Sequence, residues 1–151
     1  MDVSGGVRWF RGVASLDLPE TTIREDEKTR VIIRYVPLGP AVGIVPWNFP
    51  VFLACGKIAQ AIITGNPIIL KPSPFTPYCN LKIVELAQRF FPPGVVQVLS
   101  GDDDLGSWLT SHPGIKKISF TGSTTTGKKV MESASKTLKR ITLELYVSTT
   151  S

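Results

Sequence analysis

Histidine occurs once, at His112, and cysteine twice, at Cys55 and Cys79, with no ligand spacing among the three. That scarcity argues against a zinc site, which needs three or four such side chains converging, and two thiols suit a reducing compartment. Charge is also sparse. Only 19% of the residues are charged while 42% are hydrophobic, the profile of a globular chain with a core to bury rather than a disordered one. No apolar run is long enough to span a bilayer: the longest, Phe49 to Ile63, is interrupted by Pro50, Gly56 and Lys57. Residues 1–11 lack the apolar stretch of a secretory signal. These absences predict a soluble, cytoplasmic protein with no membrane partner.

A net charge of +5 raises the question of nucleic acid, but the basic residues are scattered, with doublets such as Lys116-Lys117 and Lys128-Lys129. No aromatic residues interleave with them as stacking platforms, so nucleic acid is not the expected partner. An anionic small ligand accounts for the charge more economically.

What is present is an alternation of short apolar runs with helical patterns. Extended segments are expected at Val31–Val36, Ala41–Val45, Pro67–Leu70, Val95–Leu99, Ile115–Phe120 and Ile141–Leu145. Helices are expected at Phe52–Ile63, closed by Gly65-Asn66, then at Asn80–Phe91, Leu105–His112 and Thr125–Ala134. Alternation of this kind implies βαβ units: an α/β fold, part of a doubly wound parallel sheet with helices on both faces. Ligands of such sheets bind beyond the carboxyl ends of the strands. Pro46-Trp47-Asn48-Phe49-Pro50, Lys71-Pro72-Ser73 and Thr121-Gly122-Ser123 fall at those ends.

Each segment carries two readings. The turn from Phe120 to Gly127 offers backbone N–H groups and a helix N-terminus to a phosphate, or is a glycine-rich turn with a Ser/Thr cap. It also matches most of a Walker A loop, but Lys129 stands where the Mg²⁺-binding hydroxyl belongs and no Walker B strand follows. Lys71, after an apolar strand, is placed either to bind ribose or phosphate or to be a solvated strand-end lysine. Asn48 is either an oxyanion donor or an Asx-turn residue. Glu144, between Leu143 and Leu145, is either a carboxylate raised toward general-base range by burial or an outward-facing strand residue. Cys55 reads as a core residue, and Cys79 has no basic partner.

Taken in order, Pro46-Trp-Asn-Phe-Pro50, Ile62-Ile-Thr-Gly-Asn-Pro67, Leu70-Lys-Pro-Ser73, Phe91-Pro-Pro-Gly-Val95, Phe120-Thr-Gly-Ser-Thr124 with Gly127, and Leu138-Lys-Arg-Ile-Thr-Leu-Glu-Leu145 resemble the aldehyde dehydrogenase superfamily over nearly the whole chain. The resemblance implies a Rossmann-type domain for NAD or NADP, with cofactor contacts from Val45, Pro46, Trp47, Lys71, Ser73, Pro74, Gly122, Ser123 and Gly127. It assigns Lys71 to the adenosine ribose, Ser123 and the backbone near Gly122 and Gly127 to the pyrophosphate, Asn48 to the oxyanion hole and Glu144 to the general base. In the family a cysteine attacks an aldehyde, the adduct gives hydride to NAD(P)⁺, and water releases the acid.

Two departures qualify that implication. Many NAD-preferring members carry Glu three residues after the ribose lysine, where this sequence has Pro74, so NADP is not excluded. Past Leu145 the family pattern has two glycines, whereas here Tyr146-Val147-Ser-Thr-Thr-Ser151 follows. The resemblance puts the catalytic cysteine further downstream. The sequence therefore reads as a lead-in segment (1–30), a partial NAD(P)-binding domain (31–145) and an aberrant tail (146–151). On that reading the chain is a fragment of a homo-oligomeric parent acting on a small-molecule aldehyde, and is inactive alone. A residual dinucleotide-binding or interaction fragment is the alternative.

Overall fold

A computed structural model describes residues 2–146 of the chain; the tail residues 147–151 lie outside the described residues. Among the described residues, no helix is long and apolar enough to cross a membrane.

The centre is a parallel sheet of five strands: β3 (Ala41–Ile44), β4 (Ile68–Lys71), β5 (Val96–Val98), β6 (Lys117–Ser123) and β7 (Arg140–Tyr146), in the spatial order β5-β4-β3-β6-β7. Every pairing is parallel, so each strand must return by a crossover, and helices supply it. α2 (Pro50–Ile63) and α3 (Tyr78–Ala87) cover one face, burying Ala54, Ile58 and Val84 against Ile68, Leu70 and Val96. α4 (Asp103–Ser111) and α5 (Thr124–Ser135) cover the other, burying Leu109, Val130 and Ala134 against Val42, Ile118 and Phe120. The doubly wound α/β arrangement is therefore observed. β6 alternates buried and half-buried positions because its two faces meet layers of different depth.

Helix α2 ends as its sequence implies. Gly65 takes φ +73°, its N–H reaches Ile62 O, and the Asn66 N–H reaches Ala61 O, the paired bonds of a Schellman motif. Its beginning is less ordinary. Phe49 sits in the left-handed region at φ 50° and caps nothing with its own side chain. The Asp2 carboxylate does so from elsewhere, accepting the N–H groups of Val51 (3.1 Å) and Phe52 (2.7 Å).

Asp2 belongs to α1 (Asp2–Ala14), which crosses α2. Gly5 and Gly6 make the crossing close: a Cβ on either would lie 2.8 Å from the Phe52 ring or the Cys55 sulfur. Trp9 meets Phe52 edge to face at 5.1 Å. β1 (Thr21–Glu25) and β2 (Arg30–Ile33) form a separate antiparallel hairpin, every residue of which is exposed. Helix α3 stops at Ala87, short of the expected Phe91, and Phe90 projects into solvent instead of continuing the apolar face.

Candidate functional site

Strand order reverses between β3 and β6, since the chain steps from β3 outward to β4 and β5 and then returns to β3's other side. A crevice forms at such a switch point because the flanking crossovers leave in opposite directions. Here it is a cavity of about 270 Å³, walled by Ile44 of β3, Lys71 of β4, Phe120 of β6, and the facing sides of α4 and α5.

Lys71 is the buried cation of this cavity, only 5% exposed. Its ammonium donates to Gly101 O (3.2 Å) and Pro72 O (3.4 Å). Burial lowers its pKa, and the carboxylates of Asp103 and then Asp102 act in the opposite sense. Of the residues singled out for the cofactor, Lys71 is the one that lines the cavity. Ser123 stands at its edge of the fold as the N-cap of α5, its Oγ accepting the Thr126 N–H at 3.2 Å and donating to Thr126 Oγ1 at 3.0 Å. Gly122 and Gly127 serve close packing. A Cβ at 122 would fall 2.5 Å from the Phe120 ring, and one at 127 would fall 2.6 Å from Leu145, so Gly127 is what lets α5 lie against β7.

The remaining candidates are near β3 and β4. Val45 is buried, its N–H donating to Lys71 O at 3.0 Å, and Pro46 is half-buried after it. Trp47 and Asn48 are exposed; the Trp47 carbonyl accepts Thr76 Oγ1 at 3.4 Å. Ser73 is buried with its Oγ accepting the Phe75 N–H, while Pro74 is exposed.

Glu144 lies elsewhere, on the sheet face covered by α2, beside a second cavity of about 160 Å³ that Trp9, Phe52, Gly56 and Lys57 also line. Sequence reasoning missed Lys57. Its side chain is 3% exposed and its ammonium donates to Ser119 Oγ at 2.9 Å and to Glu144 Oε2 at 3.3 Å. Burial lowers the Lys57 pKa, opposed by the Glu144 charge. A single charge inside the otherwise apolar run of α2 was the available signal, because a fully buried lysine requires a partner. The expectation that burial raises Glu144 is overturned. Burial does push it upward, but the hydrogen bond from Thr121 Oγ1 and the charge and hydrogen bond of Lys57 outweigh that and hold the carboxyl below its ordinary value. Among the described residues, no cluster of His, Cys, Asp and Glu that could hold a metal ion occurs.

A doubly wound parallel sheet with its crevice at the reversal of strand order is a Rossmann-type architecture. The family model of the aldehyde dehydrogenase family matches residues 1–149, and the chain belongs to that family. It is 55% identical over 144 residues to an aldehyde dehydrogenase of a Fusarium species, covering 95% of this chain and 30% of that protein. Betaine aldehyde dehydrogenase from Staphylococcus aureus in complex with NAD⁺ superposes with a TM-score of 0.86 at 33% identity, over 95% of this chain and 29% of that one. An Escherichia coli NADP-dependent enzyme gives 0.86 at 35% identity, over 96% and 31%. The chain thus spans about 30% of the length of the curated relatives it matches.

Proposed function

We propose that this chain is the cofactor-binding portion of an NAD(P)-dependent aldehyde dehydrogenase, an oxidoreductase converting an aldehyde to a carboxylic acid. The observation that carries this is the switch-point cavity with a buried lysine on its wall. The residues present suit a dinucleotide. Lys71 offers an ammonium to ribose oxygens, and the N-terminus of α5, opened by Ser123, offers a positive dipole end to a pyrophosphate. Bound NAD(P)⁺ supplies hydride acceptance.

The chain's own groups then have separable tasks. Asn48, exposed on the segment between β3 and α2, presents an amide for an oxyanion. Glu144, already ionised beside Lys57, is prepared to take a proton from water rather than to give one. The parent enzyme, on this proposal, is homo-oligomeric and cytoplasmic. Neither Cys55 nor Cys79 suits nucleophilic attack: burial pushes the Cys55 thiol up to about 11, and Cys79 lines neither cavity.

Two outcomes follow. The 151-residue chain produces no NAD(P)H from an aldehyde; robust turnover would show that one of its own groups supplies the nucleophile. It nevertheless binds NAD⁺, and Lys71→Ala weakens that binding by about tenfold, the loss of roughly one charge-assisted hydrogen bond. Equal calorimetric affinity of the wild type and Lys71→Ala would remove Lys71 from the site.

A further inference from the structure

The switch-point cavity contains a carboxylate that the cofactor reading leaves without a task. We propose that Asp103 sets the nucleotide preference of this site, favouring a free ribose 2′-hydroxyl, hence NAD⁺ over NADP⁺. The inference rests on the cofactor reading above and deepens it.

Geometry comes first. Asp103, Gly106, Ser107 and Thr110 all line the cavity, and their spacing of three, four and seven residues makes them one stripe of α4. That stripe faces Lys71: a Cβ placed on Gly106 would lie 3.6 Å from Lys71 Cε. Asp103 is therefore one helical turn from the point where the lysine stem meets α4, on the same side. The charge felt at the lysine agrees, Asp103 acting on it most and Asp102 next.

Charge decides the preference. Just past the end of β4, three residues after the lysine, stands Pro74, which offers no side-chain acceptor to a ribose hydroxyl. Asp103 provides that acceptor from the facing wall. The Lys71 ammonium already donates to the carbonyls of Gly101 and Pro72, and its charge is opposed by Asp103 and Asp102. A ribose diol can donate to Asp103 while accepting from Lys71. A 2′-phosphate cannot donate when ionised, and it brings about two further negative charges against those carboxylates. Lys129 lines the cavity from α5 but is exposed, so water screens its attraction for that phosphate.

The test measures calorimetric dissociation constants of NAD⁺ and NADP⁺ for the 151-residue chain, Asp103→Asn and Asp104→Asn. Asp104 is the comparison because it shares the first turn of α4 without lining the cavity. The wild type should bind NAD⁺ at least about tenfold more tightly than NADP⁺, and Asp103→Asn should shrink that ratio at least about fivefold, mostly by tightening NADP⁺. Asp104→Asn should leave it unchanged. Binding of NAD⁺ that depends on Lys71, with a ratio that Asp103→Asn does not move, overturns this inference and leaves the cofactor reading standing. Binding of neither dinucleotide overturns both.

Discussion

At the scale of single residues, the Lys57–Glu144 pair shows how a buried cation and a half-exposed carboxylate share a cost. Lys57 is almost fully desolvated and has Ser119 and Glu144 to satisfy its ammonium. Glu144 gains from Lys57 and Thr121 and is held below its ordinary pKa of 4.5. The unfolded chain therefore takes up that proton more readily than the folded one. The resulting stability is complete above 4.5 and is lost as pH falls through the lower folded value. Glu144→Gln should accordingly be less stable than wild type at neutral pH, with the gap closing on acidification. Denaturant melts between neutral and acidic pH check this, and a gap that holds constant or widens would mean that the carboxylate is not ionised through its partners. Apolar neighbours on either side made Glu144 visible in the sequence. The direction of its shift was not visible, because the groups that lower it, Thr121 and Lys57, lie 23 and 87 positions away on other elements.

At the scale of elements, a non-local contact sets the start of α2: its capping by Asp2, 49 and 50 positions away from the two N–H groups it accepts. A left-handed Phe49 leaves the helix without a cap of its own, and one carboxylate from α1 satisfies two of its orphan N–H groups. Asp2→Ala should cost about 1 kcal/mol, with Asp2→Asn recovering part of it. Thermal melts of the two variants, against an Asp17→Ala control in the exposed loop, read this out; equal stability of all three would deny the cap any energetic role. That bond also explains a limit of the sequence reading. The strands β3, β4 and β6 and the body and end of α2 were legible because apolar runs, β-branched residues and the Gly65-Asn66 stop all act locally. Helix α1 was not. Gly5 and Gly6 weaken a helix by their own propensity, and here the crossing requires them, since a Cβ on either would lie 2.8 Å from a side chain of α2. The same holds for β1, whose exposed residues offer no alternation of burial to read. Within the cavity, Lys71 stood out at a strand end, whereas Asp103 was hidden in the acidic run that opens α4.

At the scale of the molecule, two cavities on opposite sheet faces divide the proposed labour. One holds Lys71 and Asp103 between α4 and α5, and the other holds Glu144 and Lys57 beneath α1 and α2. The β1–β2 hairpin stands apart from both, with Ile23, Val31, Ile32 and Ile33 exposed. A two-stranded hairpin has little stability of its own, and apolar surface of this kind favours association. Hydrogen exchange with and without saturating NAD⁺ tests the account most directly, since it reports which cavity the dinucleotide enters. Slowed exchange is expected at the amides of Asp103–Ser107 and at the start of α5, Ser123–Lys129, with α2 and α3 unchanged. Slowing confined to α2 and α3, or none at any element, would contradict the assignment of the dinucleotide to the switch-point cavity.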